Sequence, residues 1–211
     1  MDAAFFRAWL SEAGTVIESQ RDHLTQLDAA IGDADHGINL ARGFSAIAAA
    51  MDQAATPTPG SVLILAGSTL ISKVGGASGP LYGMALRQAG KSLGDTAEAS
   101  LPELAASLEA ALAGVQKLGA AREGEKTMVD ALAPAVAALQ KAISEGARAP
   151  EALAAAATAA AEGAQATISM HALKGRASYL GPRSVGHEDP GAASTAIIMG
   201  ALRDVASRQV T

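Results

Sequence analysis

The sequence predicts an all-α protein, and three observations favour this fold class. Hydrophobic residues make up 49% of the 211 positions, but aromatic residues make up only 3%. The core must therefore be built from Ala, Leu, Ile, Val and Met, which suits closely spaced helices better than a β-sandwich. Apolar residues also recur every three or four positions, and no stretch of sequence shows the sustained alternation of a half-buried strand.

Glycine, proline and capping residues divide the chain into eight predicted helices, arranged as an antiparallel up-and-down bundle or barrel. The first ends near Gly32, the second starts at Gly37, and Pro80 fits the first turn of the fourth. The fifth starts after Ser100, a capping residue that a proline and Glu103 follow, and the seventh has a similar start without a hydroxyl cap. The predicted ranges are 2–31, 37–52, 60–74, 79–93, 101–119, 126–145, 150–173 and 190–208.

Composition narrows the possible functions. We expect a single domain over residues 1–211, because no Pro/Gly/Ser-rich linker divides the chain. The net charge of −5 and the lack of a Lys/Arg cluster argue against a nucleic-acid partner. The absence of cysteine excludes disulfides and thiolate metal sites, and the acidic amino terminus is unlike a signal peptide. The alanine-rich run 149–168 is too weakly hydrophobic for a membrane span, so a cytoplasmic location is expected.

Four connectors, after predicted helices one, three, five and seven, are rich in glycine and hold most of the unusual polar residues. They read IGDADHG, VGGASGP, GAAREGEKTM and KGRASYLGPRSVGHEDPGA. Alternate connectors of an up-and-down bundle lie at the same end. The topology therefore predicts a ligand site at one end of a rigid bundle.

The first of these connectors suggests a metal site. Asp28, Asp33 and Asp35 are spaced by five and two residues, so they can converge only at a helix end, which the neighbouring glycines permit. At about 4 Å, each pair would repel by about 4 kcal/mol at an effective dielectric of about 20. A divalent cation that prefers oxygen is the natural counter-charge, and Mg²⁺ would share its coordination with nucleotide phosphates. Spacing alone leaves open that the three aspartates are separately solvated.

The other three connectors each allow two interpretations. The glycines of VGGASGP, with Ser78, could form a phosphate cradle or only a turn. GAAREGEKTM imitates a Walker motif, but Glu125 adds one residue and no strand precedes it, so we reject a P-loop. Gly119 and Met128 could still shape an apolar slot for a base, or belong to the core. The last connector, with Arg176 among its basic residues, could close over a nucleotide or form a solvated loop.

The four motifs together resemble the nucleotide-binding L subunit of dihydroxyacetone kinase, which is related to the C-terminal domain of ATP-dependent dihydroxyacetone kinases. The resemblance runs from about residue 9 to 205 and rests on LDAAIGDADHGINLARGF, VGGASGPLYG, GEKTMVDALAP and KGRASYLGPRSVGHEDPGAAS. It implies an eight-helix antiparallel barrel in which Asp28, Asp33 and Asp35 bind two Mg²⁺. It also implies that the following residues surround ADP or ATP: His36, Gly37, Ile38, Asn39, Gly76, Ala77, Ser78, Gly119, Thr127, Met128, Arg176, Asp189, Pro190 and Gly191.

The resemblance further implies two partners. A separate K subunit holds dihydroxyacetone through a histidine, so His23, His36, His171 and His187 of this chain are not assigned that role. A phosphohistidine on an M subunit recharges ADP to ATP, and Arg176 is a candidate charge stabiliser for the transfer. Two alternatives remain: the nucleotide subunit of a kinase for another ketose, sugar alcohol or fatty acid, and a non-enzymatic nucleotide-binding protein that contacts a transcriptional regulator.

Overall fold

The computed structural model describes residues 1–208, and α-helices form most of that range. Within this part of the chain no strand occurs beyond an isolated bridge between Asp2 and Glu98, which agrees with the predicted fold class. The helices are α1 (Ala3–Ser19), α2 (Arg21–Ile31), α3 (His36–Gln53), α4 (Pro59–Lys73), α5 (Ser78–Leu93), α6 (Leu101–Gly119), α7 (Val129–Ser144), α8 (Ala149–Ala166) and α9 (Pro190–Arg208). A 3₁₀ helix, Thr167–Ser169, and a second 3₁₀ stretch, Arg176–Ser184, lie between α8 and α9. The second stretch is interrupted at Gly181, which has a φ of 57°.

The helices form a closed up-and-down barrel. From α3 to α9 each helix packs against the next one along the chain, α1 packs against both α3 and α9, and α2 continues from α1 onto α3. Counting α1 and α2 as one bent unit gives the predicted eight helices. Phe5, Phe6 and Trp9 of α1 fill the core in edge-to-face contacts. Within residues 1–208, no helix combines the length and the apolar character that a membrane crossing requires.

Glycines let α4 and α5 approach closely. A Cβ atom at Gly67 would lie 2.5 Å from the carbonyl oxygen of Gly83, and one at Gly83 would lie 2.7 Å from that of Gly67. Because real Cβ atoms do not approach so near, only glycine permits this spacing. The contact fixes the N-terminus of α5, where the second glycine-rich connector ends.

The predicted ends of some helices are wrong, and each error has a local cause. The helix predicted over 2–31 breaks at Gln20, beyond which α2 turns toward α3. The helix predicted over 126–145 starts only at Val129, because Lys126 has a φ of 61° and the Asp130 carboxylate accepts the Thr127 N–H. The helix predicted over 150–173 ends at Ala166, because the Thr167 hydroxyl donates to the Ala164 carbonyl and accepts the Asp189 N–H.

Two predicted helix starts are confirmed. The Ser100 hydroxyl accepts the Glu103 N–H, and the Glu103 carboxylate accepts the Ser100 N–H at 2.7 Å, which completes a capping box at α6. The α8 helix starts at Ala149 without a side-chain cap, as its sequence indicated.

Candidate functional site

A cavity of about 310 Å³ lies at one end of the barrel, where the four glycine-rich connectors meet. The N-termini of α3, α5, α7 and α9 all reach it, through His36, Ser78, Val129 and Pro190. The predicted gathering of these connectors at one end is therefore confirmed. Unpaired N–H groups and the helix dipole make each helix N-terminus favourable for a bound anion.

Asp28, Asp33 and Asp35, here called the acidic cluster, converge at the end of α2. One oxygen from each carboxylate lies within 4.8 Å of the others, and no further group of this kind occurs in the part of the chain that the structure describes. Asp28 is buried, Asp35 is half-buried and Asp33 is exposed. The turn between them needs Gly32, because a Cβ there would lie 1.9 Å from Asp28 Oδ1.

Backbone donors hold Asp28 in place. Its Oδ2 accepts the N–H of Asp35 at 2.8 Å and the N–H of His36 at 3.1 Å, which ties the end of α2 to the start of α3. Within residues 1–208, Oδ1 accepts no hydrogen bond. Asp33 is bound by the Arg176 guanidinium at 2.9 Å, but the two side chains are 38% and 69% exposed, so this ion pair contributes little stability.

Lys126 and Asp189 also line the cavity, and together with Asp130, whose charge acts on both, they are here called the lysine cluster. Lys126 and Asp130 are buried, whereas Asp189 is half-buried. Burial lowers the pKa of Lys126, and the negative charges of Asp189 and Asp130 oppose that fall. Burial also raises the pKa of Asp189 to about 7; the Ala192 N–H bond opposes this rise and the Asp130 charge adds to it.

A hydroxyl network joins the two sides of the cavity. The Tyr82 hydroxyl lies 2.7 Å from Ser194 Oγ and 2.8 Å from Thr195 Oγ1, and it donates to the Gly191 carbonyl at 2.9 Å. Ser194 Oγ in turn lies 2.8 Å from His36 Nε2. Burial raises the pKa of Tyr82 and lowers that of His36, which favours the neutral forms of both side chains.

The rest of the cavity wall is mainly apolar. The part of the wall between α5, α6 and the start of α7 is here called the apolar slot. The slot is lined by Leu81, Val115, Gly119, Ala121 and Met128.

The cavity brings together all three predicted metal ligands and most of the predicted nucleotide residues. Those that line it are His36, Gly76, Ala77, Ser78, Gly119, Thr127, Met128, Arg176, Asp189, Pro190 and Gly191. Gly37, Ile38 and Asn39 lie outside its lining: Gly37 packs against the α2 backbone, Ile38 is exposed, and Asn39 accepts a bond from Arg42 at 2.9 Å. Sequence reasoning missed Lys126 and Tyr82, which also line the cavity.

A search against protein families identifies a relationship that agrees with this geometry. Residues 30–204 match the DAK2 domain. The chain belongs to the DAK2 domain family. The match covers the whole lysine cluster, and Asp33 and Asp35 of the acidic cluster.

Similar proteins carry this DAK2 domain alone or as part of a longer chain. The ADP-binding subunit DhaL of the PEP-dependent dihydroxyacetone kinase from Escherichia coli strain K12 is 42% identical over 191 residues, which are 90% of this chain and 91% of that subunit. L-erythrulose 1-kinase from Mycolicibacterium smegmatis is 39% identical over 187 residues, 88% of this chain but 32% of that enzyme. The match to the DhaL subunit confirms the predicted resemblance to the L subunit.

A solved structure shows the same fold. The dihydroxyacetone kinase from C. freundii, in complex with AMP-PNP and Mg²⁺, matches with a TM-score of 0.72 and 28% identity. The match covers 97% of this chain and 34% of the kinase chain. This chain therefore spans about a third of the length of that kinase.

The donor atoms of the acidic cluster are of the kind that binds magnesium. All three side chains offer carboxylate oxygens, the ligands that Mg²⁺ prefers, and the spacing of 4.8 Å or less allows them to share metal ions. Asp28 is already oriented through Oδ2, which leaves Oδ1 for a cation.

Proposed function

We propose that this chain is the ADP-binding subunit of a phosphoenolpyruvate-dependent dihydroxyacetone kinase. The observation that carries the proposal is the acidic cluster on a cavity that four helix N-termini also reach. Carboxylates favour cations and helix N-termini favour anions, so the two sides of the cavity together suit a complex of magnesium and a nucleotide. The relative of matching length, which is named as an ADP-binding subunit, supports the same assignment.

In this proposal the acidic cluster holds two Mg²⁺, which supply positive charge against the carboxylates and the nucleotide phosphates. The phosphates lie toward the N-termini of α3 and α5, where Ser78 offers a hydroxyl, and the apolar slot beside Met128 takes the base. Arg176, which lies on the acidic cluster through Asp33, stabilises charge during phosphoryl transfer. The nucleotide roles of Gly37, Ile38 and Asn39 stay predictions.

The donor and the acceptor lie on partner subunits in this proposal. A K subunit holds dihydroxyacetone, and a phosphohistidine on an M subunit restores ATP from the bound ADP. Because phosphoryl transfer needs alignment and charge neutralisation more than a protein nucleophile, no side chain of this chain is phosphorylated. The cytoplasmic location stays a prediction.

Native mass spectrometry tests the nucleotide part of the proposal. The chain, purified in magnesium buffer, should retain a mass that corresponds to ADP with Mg²⁺, and EDTA should remove both. An empty chain that does not bind ADP with Mg²⁺ would refute the proposal. An empty chain that binds ATP weakly would instead indicate a kinase domain with ATP turnover.

Reconstitution tests the acceptor. With K and M subunits added, phosphorylation of dihydroxyacetone by phosphoenolpyruvate should require this chain and ADP. The relative named L-erythrulose 1-kinase favours one alternative, a larger ketose as acceptor, so erythrulose is the matched comparison substrate. Nucleotide binding without transfer to any acceptor would favour a non-enzymatic regulator.

A further inference from the structure

Lys126 is the lysine of the Walker-like stretch GAAREGEKTM, but in this structure its ammonium binds backbone carbonyls. Its side chain is 1% exposed, and its backbone has a φ of 61°. The ammonium donates to the carbonyl oxygen of Thr167 at 2.6 Å and to that of His187. Two of its three N–H donors therefore bind backbone carbonyls, 41 and 61 residues further along the chain.

These two carbonyls lie at the two ends of the segment 167–189, which joins α8 to α9. Lys174, Gly175, Arg176 and Ala177 of this segment line the cavity. Arg176 also reaches across to Asp33 in the acidic cluster. One ammonium therefore ties together both ends of the segment that covers the cavity.

Other bonds fold the segment, and one of them attaches its middle to the start of α7. The middle also contacts α2 and the turn after it, through Ala172 and Ala177 on Ile31 and through the ion pair of Arg176. The Gly186 N–H donates to the Ile168 carbonyl at 2.7 Å, and the Ala172 N–H donates to Ser184 Oγ at 2.9 Å, both within the segment. The Leu173 N–H donates to the Glu125 carbonyl at 3.1 Å, next to Lys126 in the chain. The attachment of the segment to the start of α7 is thus concentrated at residues 125 and 126.

The charge of Lys126 suits this position. Hydrogen bonds from an ammonium to a carbonyl are stronger than neutral ones, and the nearby carboxyl groups of Asp130 and Asp189 oppose the effect of burial on the ammonium. Each carboxylate also holds a piece of the cavity wall, since Asp130 accepts the Thr127 N–H and Asp189 accepts the Ala192 N–H. An uncharged side chain of the same length would fill the space but leave the two carbonyls without a charged donor.

We propose that Lys126 is a positioning residue of the nucleotide site, which clamps the two ends of the 167–189 segment and so fixes Arg176 over the cavity. Its effect on nucleotide release rests on the proposed function, whereas its effect on the segment can be measured without any nucleotide. The two can therefore fail separately.

The first test compares Lys126→Met with Lys141→Met. Lys141 is on the surface of α7 with its side chain 76% exposed, so both variants lose one lysine and one trypsin site. In the absence of nucleotide, trypsin should cut Lys126→Met after Lys174, Arg176 and Arg183 at least about tenfold faster than the wild type, because both charge-assisted hydrogen bonds of Lys126 are lost. Release of ADP with Mg²⁺ should accelerate by a similar factor, and Lys141→Met should match the wild type in both measurements.

Chemical rescue separates charge from volume. The chain has no cysteine, so Lys126→Cys introduces a single thiol. Alkylation of the unfolded variant with 2-bromoethylamine creates a side chain with an ammonium in the lysine position, and 1-bromopropane creates a neutral side chain of the same shape. After refolding, the aminoethyl form should return to slow cleavage and slow ADP release, and the propyl form should not.

Four results would overturn the proposal. Equal cleavage rates of Lys126→Met and the wild type would show that Lys126 does not hold the segment. Equal rescue by both alkyl groups would show that volume suffices. Faster ADP release without faster cleavage would indicate a direct contact with the nucleotide. Failure of the propyl form to refold, with normal refolding of the aminoethyl form, would show that the charge supports the whole fold.

Discussion

The acidic cluster and the lysine cluster lie on the same cavity, and their charges are balanced in different ways. Asp28, Asp33 and Asp35 have three negative charges, and among residues 1–208 only the exposed guanidinium of Arg176 forms an ion pair with them. The lysine cluster contains its own buried cation, and its two carboxylates accept backbone N–H groups. An internal cation makes a cluster part of the fold, whereas an excess of negative charge leaves room for a cation from solution.

The two clusters also differ in which parts of the backbone they connect. The lysine cluster joins segments that are distant in sequence, since Lys126 binds Thr167 and His187. The acidic cluster is local, and the carboxylate of Asp28 organises only the turn up to His36. We therefore expect changes in the acidic cluster to remove nucleotide binding while the fold stays intact. Changes in the lysine cluster should instead loosen the protein around the site, and affect binding through that structure.

The largest effect is expected from Asp33→Asn. Asp33 is exposed, and within residues 1–208 its side chain forms an ion pair or hydrogen bond only with Arg176, so the variant should keep near-normal helicity by circular dichroism. Loss of one of three carboxylates should abolish retention of ADP with Mg²⁺ in native mass spectrometry. Asp95→Asn, at an exposed acid between α5 and α6, is the matched control and should retain ADP.

Two results would break this part of the comparison. Unchanged ADP retention in Asp33→Asn would remove the metal argument. Unfolding of the variant would mean that the acidic cluster, like the lysine cluster, organises the helix ends.

A smaller effect is expected on the pH dependence of stability, through Asp189. Its pKa is raised to about 7 in the folded chain, above the usual value of about 4, so the folded state binds the proton more tightly than the unfolded state. The contribution of Asp189 to the free energy of unfolding should therefore be greatest below pH 4 and fall between pH 4 and 7. We expect a decrease of about 2 kcal/mol, because partial exposure of Asp189 reduces the effect of the full shift.

Urea unfolding of the wild type and of Asp189→Asn at several pH values measures this decrease. Asparagine does not titrate, so the difference between the two free energies of unfolding should change between pH 4 and 7 and stay constant above pH 8. A difference that is independent of pH would show that the pKa of Asp189 is the same in the folded and the unfolded chain, and would contradict the prediction.

The barrel and the end on which the site lies could be predicted from the sequence, because helical periodicity and alternate connectors are local or topological properties. The convergence of Asp28 with Asp35 was also predictable, since it needs only a helix end with glycines nearby. The break at Gln20 could not be predicted, because no glycine or proline marks it and the turn is set by packing of α2 on α3. The 3₁₀ turns within Arg176–Ser184 were hidden by Gly181 and Pro182, which usually indicate a loop; Gly181 does interrupt the helical backbone there, with a φ of 57°.

The contacts of Lys126 and Tyr82 had no signal in the sequence. The ammonium of Lys126 binds backbone carbonyls, which every residue has, so residue types do not reveal the partners. Tyr82 reaches hydroxyls that lie 112 and 113 residues away. Such bonds depend on how the barrel closes, and that is known only when the whole fold is known.

The smallest effect is expected from Tyr82→Phe, which tests whether the two clusters are mechanically joined. Tyr82 is buried, and its hydroxyl forms hydrogen bonds with the Gly191 carbonyl and with Ser194 Oγ. Gly191 lies two residues from Asp189 of the lysine cluster. Ser194 Oγ lies 2.8 Å from Nε2 of His36, which follows the acidic cluster in the chain. Removal of the hydroxyl leaves these groups with fewer partners and should lower the free energy of unfolding by about 1 to 2 kcal/mol.

Tyr179→Phe is the matched control, because Tyr179 is the other tyrosine of the chain and is 89% exposed. It should change the free energy of unfolding by less than about 0.5 kcal/mol in the same urea titration. If the clusters are joined through Tyr82, the Tyr82→Phe variant should also release ADP faster, since His36 and the start of α3 lose part of their support. A loss of stability with an unchanged rate of ADP release would show instead that the acidic cluster is held by its own turn alone, through the bonds of Asp28 to Asp35 and His36.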